Sequence, residues 1–348
     1  MSHLTYAEAG LIGLIQGVTE LFPISSLGHS VLVPALIGGQ WSQDLNVSKE
    51  ESPYLAYIVG LHVATAIAMI TYFWRDWVRI VGAFFASVKH VIAPEPGTER
   101  WEPQNTDQKL AWMIILATIP VGIAGLALEH LFRVVFSKPI LTSVFLFANG
   151  LILLAGERAR RRHASMEALQ IAADERVVAE RQKAAVAAGG GYGSAGRHSS
   201  GQRALKQHQA DLAVESDRRL TGVGWVGAFV LGAAQILALL PGISRDGIVM
   251  VGGLFRGLSR QDAARFSFLL SAPVILAAGV LKIPDLTGPL GAGIHGQVLF
   301  GSILSGVGAY LALRFLMRYF SDPKRTLTPC AIYSLIVGLG CLVYFSVR

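Results

Sequence analysis

The stretch Gln16-Gly17-Val18-Thr19-Glu20-Leu21-Phe22-Pro23-Ile24-Ser25-Ser26-Leu27-Gly28-His29 decides the fold, because it is a polar, helix-breaking passage inside an apolar run. A second passage, Pro241-Gly242-Ile243-Ser244-Arg245-Asp246-Gly247, interrupts another apolar run near the far end of the chain. Ionisable side chains at membrane depth are costly and mark function by default, which singles out Glu20, His29 and Arg245. Pro and Gly break helices and free backbone groups to face a ligand, tolerated in a membrane only where protein or water covers them.

The surrounding composition makes these runs membrane segments. Of 348 residues, 52% are hydrophobic and only 15% charged, with a mean hydropathy of +0.49; a soluble domain usually carries about 25% charged residues. The expected fold is therefore an all-α polytopic membrane protein. Six segments read as full spans, at about 54–74, 110–128, 139–156, 263–281, 296–317 and 329–346, each close to the ~20 residues a bilayer requires. The segments 5–38 and 223–254 are each broken in the middle and too short to cross twice, so they read as re-entrant helical hairpins.

Charge orders these segments. If the Arg-rich stretch 157–221 is cytoplasmic, parity puts 75–109, 255–262 and Arg314 to Arg325 on the same side, together holding twenty-three Lys and Arg. The opposite side holds only Lys49, Arg133, Lys138, Lys282 and Arg348, a strong positive-inside asymmetry. Both termini then face outward. The net charge of +7 needs no nucleic-acid partner, since membrane-side Lys and Arg account for it. Cys330 and Cys341 lie on one predicted helix, on the order of 16 Å apart along its axis, too far for a disulfide. No basic leader followed by an A-x-A site is present at the start, so no cleaved signal peptide is expected.

The same layout predicts two inverted-topology repeats, 1–156 and 222–348, each a hairpin followed by three spans. Aligning Pro23-Ile24-Ser25-Ser26 with Pro241-Gly242-Ile243-Ser244 puts the hairpin tips in corresponding places, the arrangement expected of a binding site near the membrane middle. Between the repeats, 157–221 reads as a polar cytoplasmic insert. Glu157 to Ala188 has helical composition, and Gly189 to Gly196 is a flexible linker. Arg158, Arg160, Arg161 and Arg162 suit anionic lipid, and 76–93 suits a helix lying in the interface.

The tips carry the chemistry. Gln16 and Glu20 are four apart, so they share a helix face and can offer an amide oxygen and a carboxylate to a hard cation. Ser25, Ser26 and Gly28 permit close backbone approach, with free amides at a half-helix N-terminus suited to an anion. Ser26 stands three residues before His29, a spacing that allows a nucleophile–base pair or hydrogen-bonded positioning. Ser244 and Arg245 open the second tip, and a guanidinium can grip phosphate with two parallel N–H bonds. Asp246 can orient Arg245, ligate a metal or cap its helix. His62, without polar company in its span, reads as an ordinary structural residue.

These residues resemble a known family. Gln16-x-x-x-Glu20 followed by Pro23-x-Ser25-Ser26-x-Gly28-His29 is similar to the first signature of bacterial undecaprenyl-diphosphate phosphatases, and Pro241-Gly242-x-Ser244-Arg245 to the second. Gly252 to Arg260, Phe266 to Leu270 and Pro273 continue the likeness. The resemblance implies hydrolysis of undecaprenyl diphosphate to undecaprenyl phosphate and inorganic phosphate. It further implies recycling of the lipid carrier for peptidoglycan synthesis at the outer face of the cytoplasmic membrane, and bacitracin resistance. It implies a divalent cation, Mg²⁺ or Ca²⁺, with Gln16 and Glu20 as metal ligands. Glu20, Ser26, His29 and Arg245 would be catalytic, and Ser25, Ser26, Gly28, Ser244 and Arg245 would hold the substrate phosphates. Ser26, His29 or a water each remain open as the nucleophile. The partners expected are the polyprenyl diphosphate and membrane lipids, and a homodimer is compatible with this reading.

Three features depart from the family pattern. Asp246 stands where Ser is usual, Val249 stands where Thr is usual, and the insert 157–221 is long. The competing expectation is a transporter or flippase of a phosphorylated lipid with the same repeats and no hydrolysis. A non-catalytic scaffold recruiting partners through 157–221 is a third.

Overall fold

The computed structural model of the chain describes residues 4–46, 53–93, 99–100, 102–134, 138–162, 215–281 and 293–347, with three single residues between 282 and 292. Their regular structure is entirely helical. The first half contains α1 (Tyr6–Leu21), α2 (Ser26–Ile37), the short α3 (Gly39–Asp44), α4 (Pro53–Tyr72), α5 (Trp74–Ile92) and α6 (Thr106–Val134). It closes with α7 (Pro139–Arg162). The second half contains α8 (Glu215–Gly222), α9 (Gly224–Ala234) and a 3₁₀ turn at Gln235–Leu239. It continues with α10 (Arg245–Phe255), α11 (Arg260–Leu281), α12 (His295–Ser321) and α13 (Thr328–Val347).

Helices α6, α7, α11, α12 and α13 are each long and apolar enough to cross a bilayer. The bent pairs α4/α5 and α8/α9 raise the number to seven at most. Five of the six expected spans are thus single helices. The sixth is α4, which turns through 87° at Phe73 into α5, the segment expected to lie in the interface. Helix α7 runs on to Arg162, into the expected insert. Residues 163–214, with the remainder of the predicted helix to Ala188 and the Gly189–Gly196 linker, lie outside the described residues. Both cysteines are free, as their spacing requires.

Local chemistry sets the breaks. Thr5 caps α1, accepting from the Glu8 amide at 3.2 Å while Glu8 accepts from the Thr5 amide at 2.7 Å. The helix stops at Leu21 because Phe22, before Pro23, is pushed to extended φ/ψ (−71°, 139°). Close packing then follows from small residues. Cβ atoms on Gly13 and Gly17 would come within 2.9 Å of Gly301 Cα and 2.8 Å of Ser305 Cα, so α1 lies directly against α12. A Cβ on Gly232 of α9 would come within 2.6 Å of Ala117 Cα, so α9 lies directly against α6. The leading helix of each half therefore packs on the second long span of the other half. A buried cluster drawn from both halves, including Leu21, Met69, Met113, Leu153, Met250, Phe268 and Leu313, lies between them.

Candidate active site

The two helix breaks meet. Ser25 and Ser244 are the N-caps of α2 and α10, accepting from the Gly28 amide at 3.2 Å and the Gly247 amide at 3.0 Å. The structural equivalence is thus Ser25 with Ser244 and Gly28 with Gly247. This differs by one residue from the alignment on Pro23 and Pro241, because the capping hydroxyl sets the register rather than the proline. Ser25 Oγ also accepts from the Gly242 amide at 3.1 Å, joining one tip to the other. A Cβ on Gly28 would stand 3.0 Å from Gly242 Cα, so the backbones touch. Ser25 adopts φ 68°, a conformation costly for a residue with a side chain, and these two amide contacts hold it there.

Asn149 of α7 completes the joint. Its Nδ2 donates to the Pro23 carbonyl at 2.9 Å and to Ser334 Oγ at 3.3 Å, and its Oδ1 accepts from the Ser244 amide at 3.0 Å. One fully buried amide thus bridges a broken-helix carbonyl of the first tip and an amide of the second. Sequence reading overlooked Asn149. The available signal was a lone amide inside the apolar run of α7, the kind of intramembrane polar residue that marks a functional or structural joint.

Beside the joint opens a cavity of about 520 Å³. Its polar end is formed by Glu20, Ser25, Ser26, His62, Gln235, Ser244 and Arg245. Its remaining wall is apolar, from Ile58 and Val59 of α4, Val121 and Leu126 of α6, Leu239, and Ile275 and Leu281 of α11. Glu20 is the hub. Its Oε1 is paired with Arg245, and its Oε2 accepts from Ser26 Oγ and, at 2.8 Å, from Gln16 Nε2. His62 Nε2 stands 3.5 Å from the same oxygen. The structure therefore brings together Gln16, Glu20, Ser25, Ser26, Gly28, Ser244 and Arg245 as the two motifs predict.

Two histidines have neighbours that their places in the sequence did not show. His62 lines the cavity, with Nδ1 anchored 2.9 Å from the Ile58 carbonyl and Nε2 facing Glu20, so the structural reading of this residue is corrected. Its position inside one span concealed a neighbour that arrives from another helix. His29 lies one turn deeper along α2 than Ser26, and its neighbour there is Tyr333 of α13 rather than the cavity. The Ser25 carbonyl can only accept, so Nδ1 (2.7 Å) carries the proton and Nε2 accepts from Tyr333 Oη at 2.8 Å. The imidazole stacks on that phenol, 5.7 Å between centroids. In this state His29 braces the tip backbone and makes no hydrogen bond with Ser26.

Two of the departures from the family pattern, Asp246 and Val249, lie in buried settings. Asp246 is buried and turned toward α11, where Oδ1 accepts from Ser267 Oγ at 2.8 Å and Ser271 Oγ at 2.5 Å, while Oδ2 is buried without a hydrogen-bond partner. It forms no ion pair with Arg245 and does not line the cavity. Val249 belongs to the buried apolar cluster, where a methyl serves in place of a hydroxyl.

A divalent cation can be tested against the donors present. Among the described residues no three His, Cys, Asp or Glu side chains converge as a closed site. Gln16 Oε1, however, is buried with no hydrogen-bond partner beside the Glu20 carboxylate. One carboxylate, one orphaned amide oxygen and incoming phosphate oxygens form a set that suits a hard cation retaining several waters. These two donors can hold such an ion only with further ligands from substrate and water, since Gln16 is fully buried and does not line the cavity.

Comparison with known proteins agrees with this geometry. The family model for bacitracin resistance protein BacA matches residues 9–189 and 201–340. An undecaprenyl-diphosphatase of Mycolicibacterium paratuberculosis is 53% identical over 347 residues, covering 100% of this chain and 99% of the relative. Undecaprenyl-diphosphatase 2 of Frankia alni is 50% identical over 355 residues, covering 100% of both chains. The undecaprenyl-diphosphatase of Granulibacter bethesdensis is 34% identical over 341 residues, covering 97% of this chain and 96% of its own. With both membrane halves matched and both tips joined at one cavity, this chain belongs to the bacitracin resistance protein BacA family.

Proposed function

We infer that the protein is an undecaprenyl-diphosphate phosphatase, a multi-pass membrane hydrolase that releases inorganic phosphate and returns undecaprenyl phosphate. The observation that carries the reading is the Glu20 carboxylate held between Ser26 and Arg245 at the polar end of an apolar-walled cavity. A polyprenyl diphosphate has that same division, with charge at one end and hydrocarbon behind it. Its head fits against Arg245 and the Ser26 hydroxyl, and its chain fits along the walls given by α4, α6 and α11.

Phosphoryl transfer demands positioning and neutralisation of the charge spread over phosphoryl oxygens. Arg245 supplies a permanent cation there, and the incoming phosphate competes with Glu20 for it. Glu20, once released from Arg245, is already hydrogen-bonded to the Ser26 hydroxyl and can take its proton. Ser26 Oγ then attacks the terminal phosphorus, the bond from that phosphorus to the bridging oxygen breaks, and undecaprenyl phosphate leaves. Water cleaves the phosphoserine, releasing inorganic phosphate and restoring the hydroxyl. Gln235, buried at the cavity with neither amide atom partnered, is suited to hydrogen-bond the head group. A divalent cation, Mg²⁺ or Ca²⁺, held by Gln16 Oε1 and Glu20 would supply further charge neutralisation.

The reciprocal packing of α1 on α12 and α9 on α6 supports two inverted repeats with α1/α2 and α9/α10 as re-entrant hairpins. The Lys and Arg asymmetry supports an insert facing the cytoplasm of a bacterial inner membrane, with the cavity reached from outside. The test is phosphate release from undecaprenyl diphosphate by detergent-purified protein, with Mg²⁺ or Ca²⁺ and with chelator. Glu20→Ala and Arg245→Ala are expected to lower the rate by about 10²-fold or more. Folded protein that binds the lipid but releases no phosphate in either metal would replace hydrolysis with transport.

A further inference from the structure

A second concavity lies along α12 and shares no lining residue with the active cavity. It is a groove of about 450 Å³ formed by Arg314, Phe315, Arg318, Tyr319, Asp322 and Arg325, with Leu311 at its inner end. The helical spacing explains it. Positions 311, 314, 315, 318, 319 and 322 recur at intervals of three and four, so they share one face, and Arg325 folds back from the following turn. All three arginines are exposed. The single acid in the groove, Asp322, is 3.6 Å from Arg325. Among the described residues, neither Arg314 nor Arg318 has an acidic partner.

The groove is also shaped. The Arg325 guanidinium lies 5.3 Å over the Tyr319 ring, a cation–π contact that fixes its direction. Tyr319 stacks on Phe315 at 5.8 Å, and Phe315 on Phe22 at 6.0 Å, so the aromatic wall is tied to the end of α1. Scattered arginines at a helix end would merely direct their charges outward to the head groups. Here three converge around a cavity with one compensating acid, which leaves an excess of two positive charges for an anion with several acceptor oxygens. The face continues inward as Leu311, Val307, Ile303 and Leu299, which are 58%, 55%, 57% and 65% exposed. Arg314 lies about 10 Å along the helix from its end at Ser321, so the charged part occupies the last two turns.

We propose that this groove is a binding site for an anionic glycerophospholipid. Its phosphate is held by Arg314, Arg318 and Arg325, and one acyl chain lies along the Leu299–Leu311 stripe. The contiguous apolar stripe favours a lipid over free phosphate, and the inference is independent of the hydrolytic reading.

The test is native mass spectrometry of the full chain titrated with phosphatidylglycerol or phosphatidylcholine. Wild type should retain phosphatidylglycerol preferentially, and Arg314→Gln combined with Arg318→Gln should weaken that retention by about tenfold. Phosphate release in phosphatidylcholine micelles should be unchanged in that variant, which also reports its folding; Arg318→Gln alone gives the same readout if the double variant is unstable. Removing two exposed charges elsewhere, with Arg100→Gln and Arg218→Gln, should leave retention near wild type. Equal losses in both pairs, or undiminished retention in the groove variant, would overturn the proposal. So would displacement of the lipid by millimolar inorganic phosphate, which would make the groove a site for the free anion.

Discussion

Removing the Asn149 amide tests whether the active site depends on the joint between the two broken helices. Asn149→Ala deletes a donor 2.9 Å from the Pro23 carbonyl and an acceptor 3.0 Å from the Ser244 amide, in a place with no exposure. Each backbone group loses its partner, at about 1–2 kcal/mol apiece after partial relaxation, so a destabilisation of about 2–4 kcal/mol is expected. The catalytic loss should be the more specific signal. Glu20 and Ser26 stand on the first tip and its flanks, and Arg245 stands on the second, so the joint sets their separation. A misplacement near 1 Å costs on the order of 10²-fold in rate. Steady-state phosphate release from undecaprenyl diphosphate, with thermal unfolding in the same detergent, separates the two effects. Asn149→Asp keeps the acceptor for Ser244 but loses the donor to Pro23, and should fall between wild type and Ala. Ser25→Ala removes the other strut, from Ser25 Oγ to the Gly242 amide at 3.1 Å. The two struts share one joint, so their effects on kcat should be non-additive in a double-mutant cycle. A wild-type kcat in folded Asn149→Ala would refute the reasoning, because the tips would then hold their geometry without the bridge.

Two further outcomes follow from the same geometry. His62→Ala removes the imidazole 3.5 Å from Glu20 Oε2 and should lower kcat/KM by about tenfold or more with little change in unfolding temperature, whereas a purely structural histidine would show the reverse in the same two assays. Gly28→Ala inserts a Cβ 3.0 Å from Gly242 Cα and 3.1 Å from its nitrogen, so the two backbones must give by a few tenths of an ångström; activity should fall, while Gly82→Ala, where the added Cβ meets nothing within 4 Å, should be neutral in phosphate release.

Much of this architecture was legible in the chain because a membrane constrains sequence severely. Apolar stretches of bilayer length reported α6, α7, α11, α12 and α13, and a Pro after Phe22 reported the end of α1. The cost of an ion in hydrocarbon made Glu20 and Arg245 conspicuous against their surroundings, and the small and hydroxyl residues between the breaks reported Ser25, Ser26 and Ser244. Other elements were not local properties. Register between the halves came from the capping hydroxyls, Ser25 with Ser244, so a linear match on proline was one residue out.

Composition and motif spacing by themselves determined that this protein spans a membrane repeatedly and carries carboxylate, hydroxyl and guanidinium groups at two helix breaks, since burial cost and backbone geometry act residue by residue. Which side chains meet was decided only by the tertiary structure. Asn149 bridges residues 126 positions before it and 95 after it. His62 reaches Glu20 and His29 reaches Tyr333 through helices that adjoin in space alone. Asp246 is drawn from the cavity by two serines of α11. Hydrogen bonds and ion pairs act over a few ångströms, so their partners are assigned by helix packing and not by position along the chain.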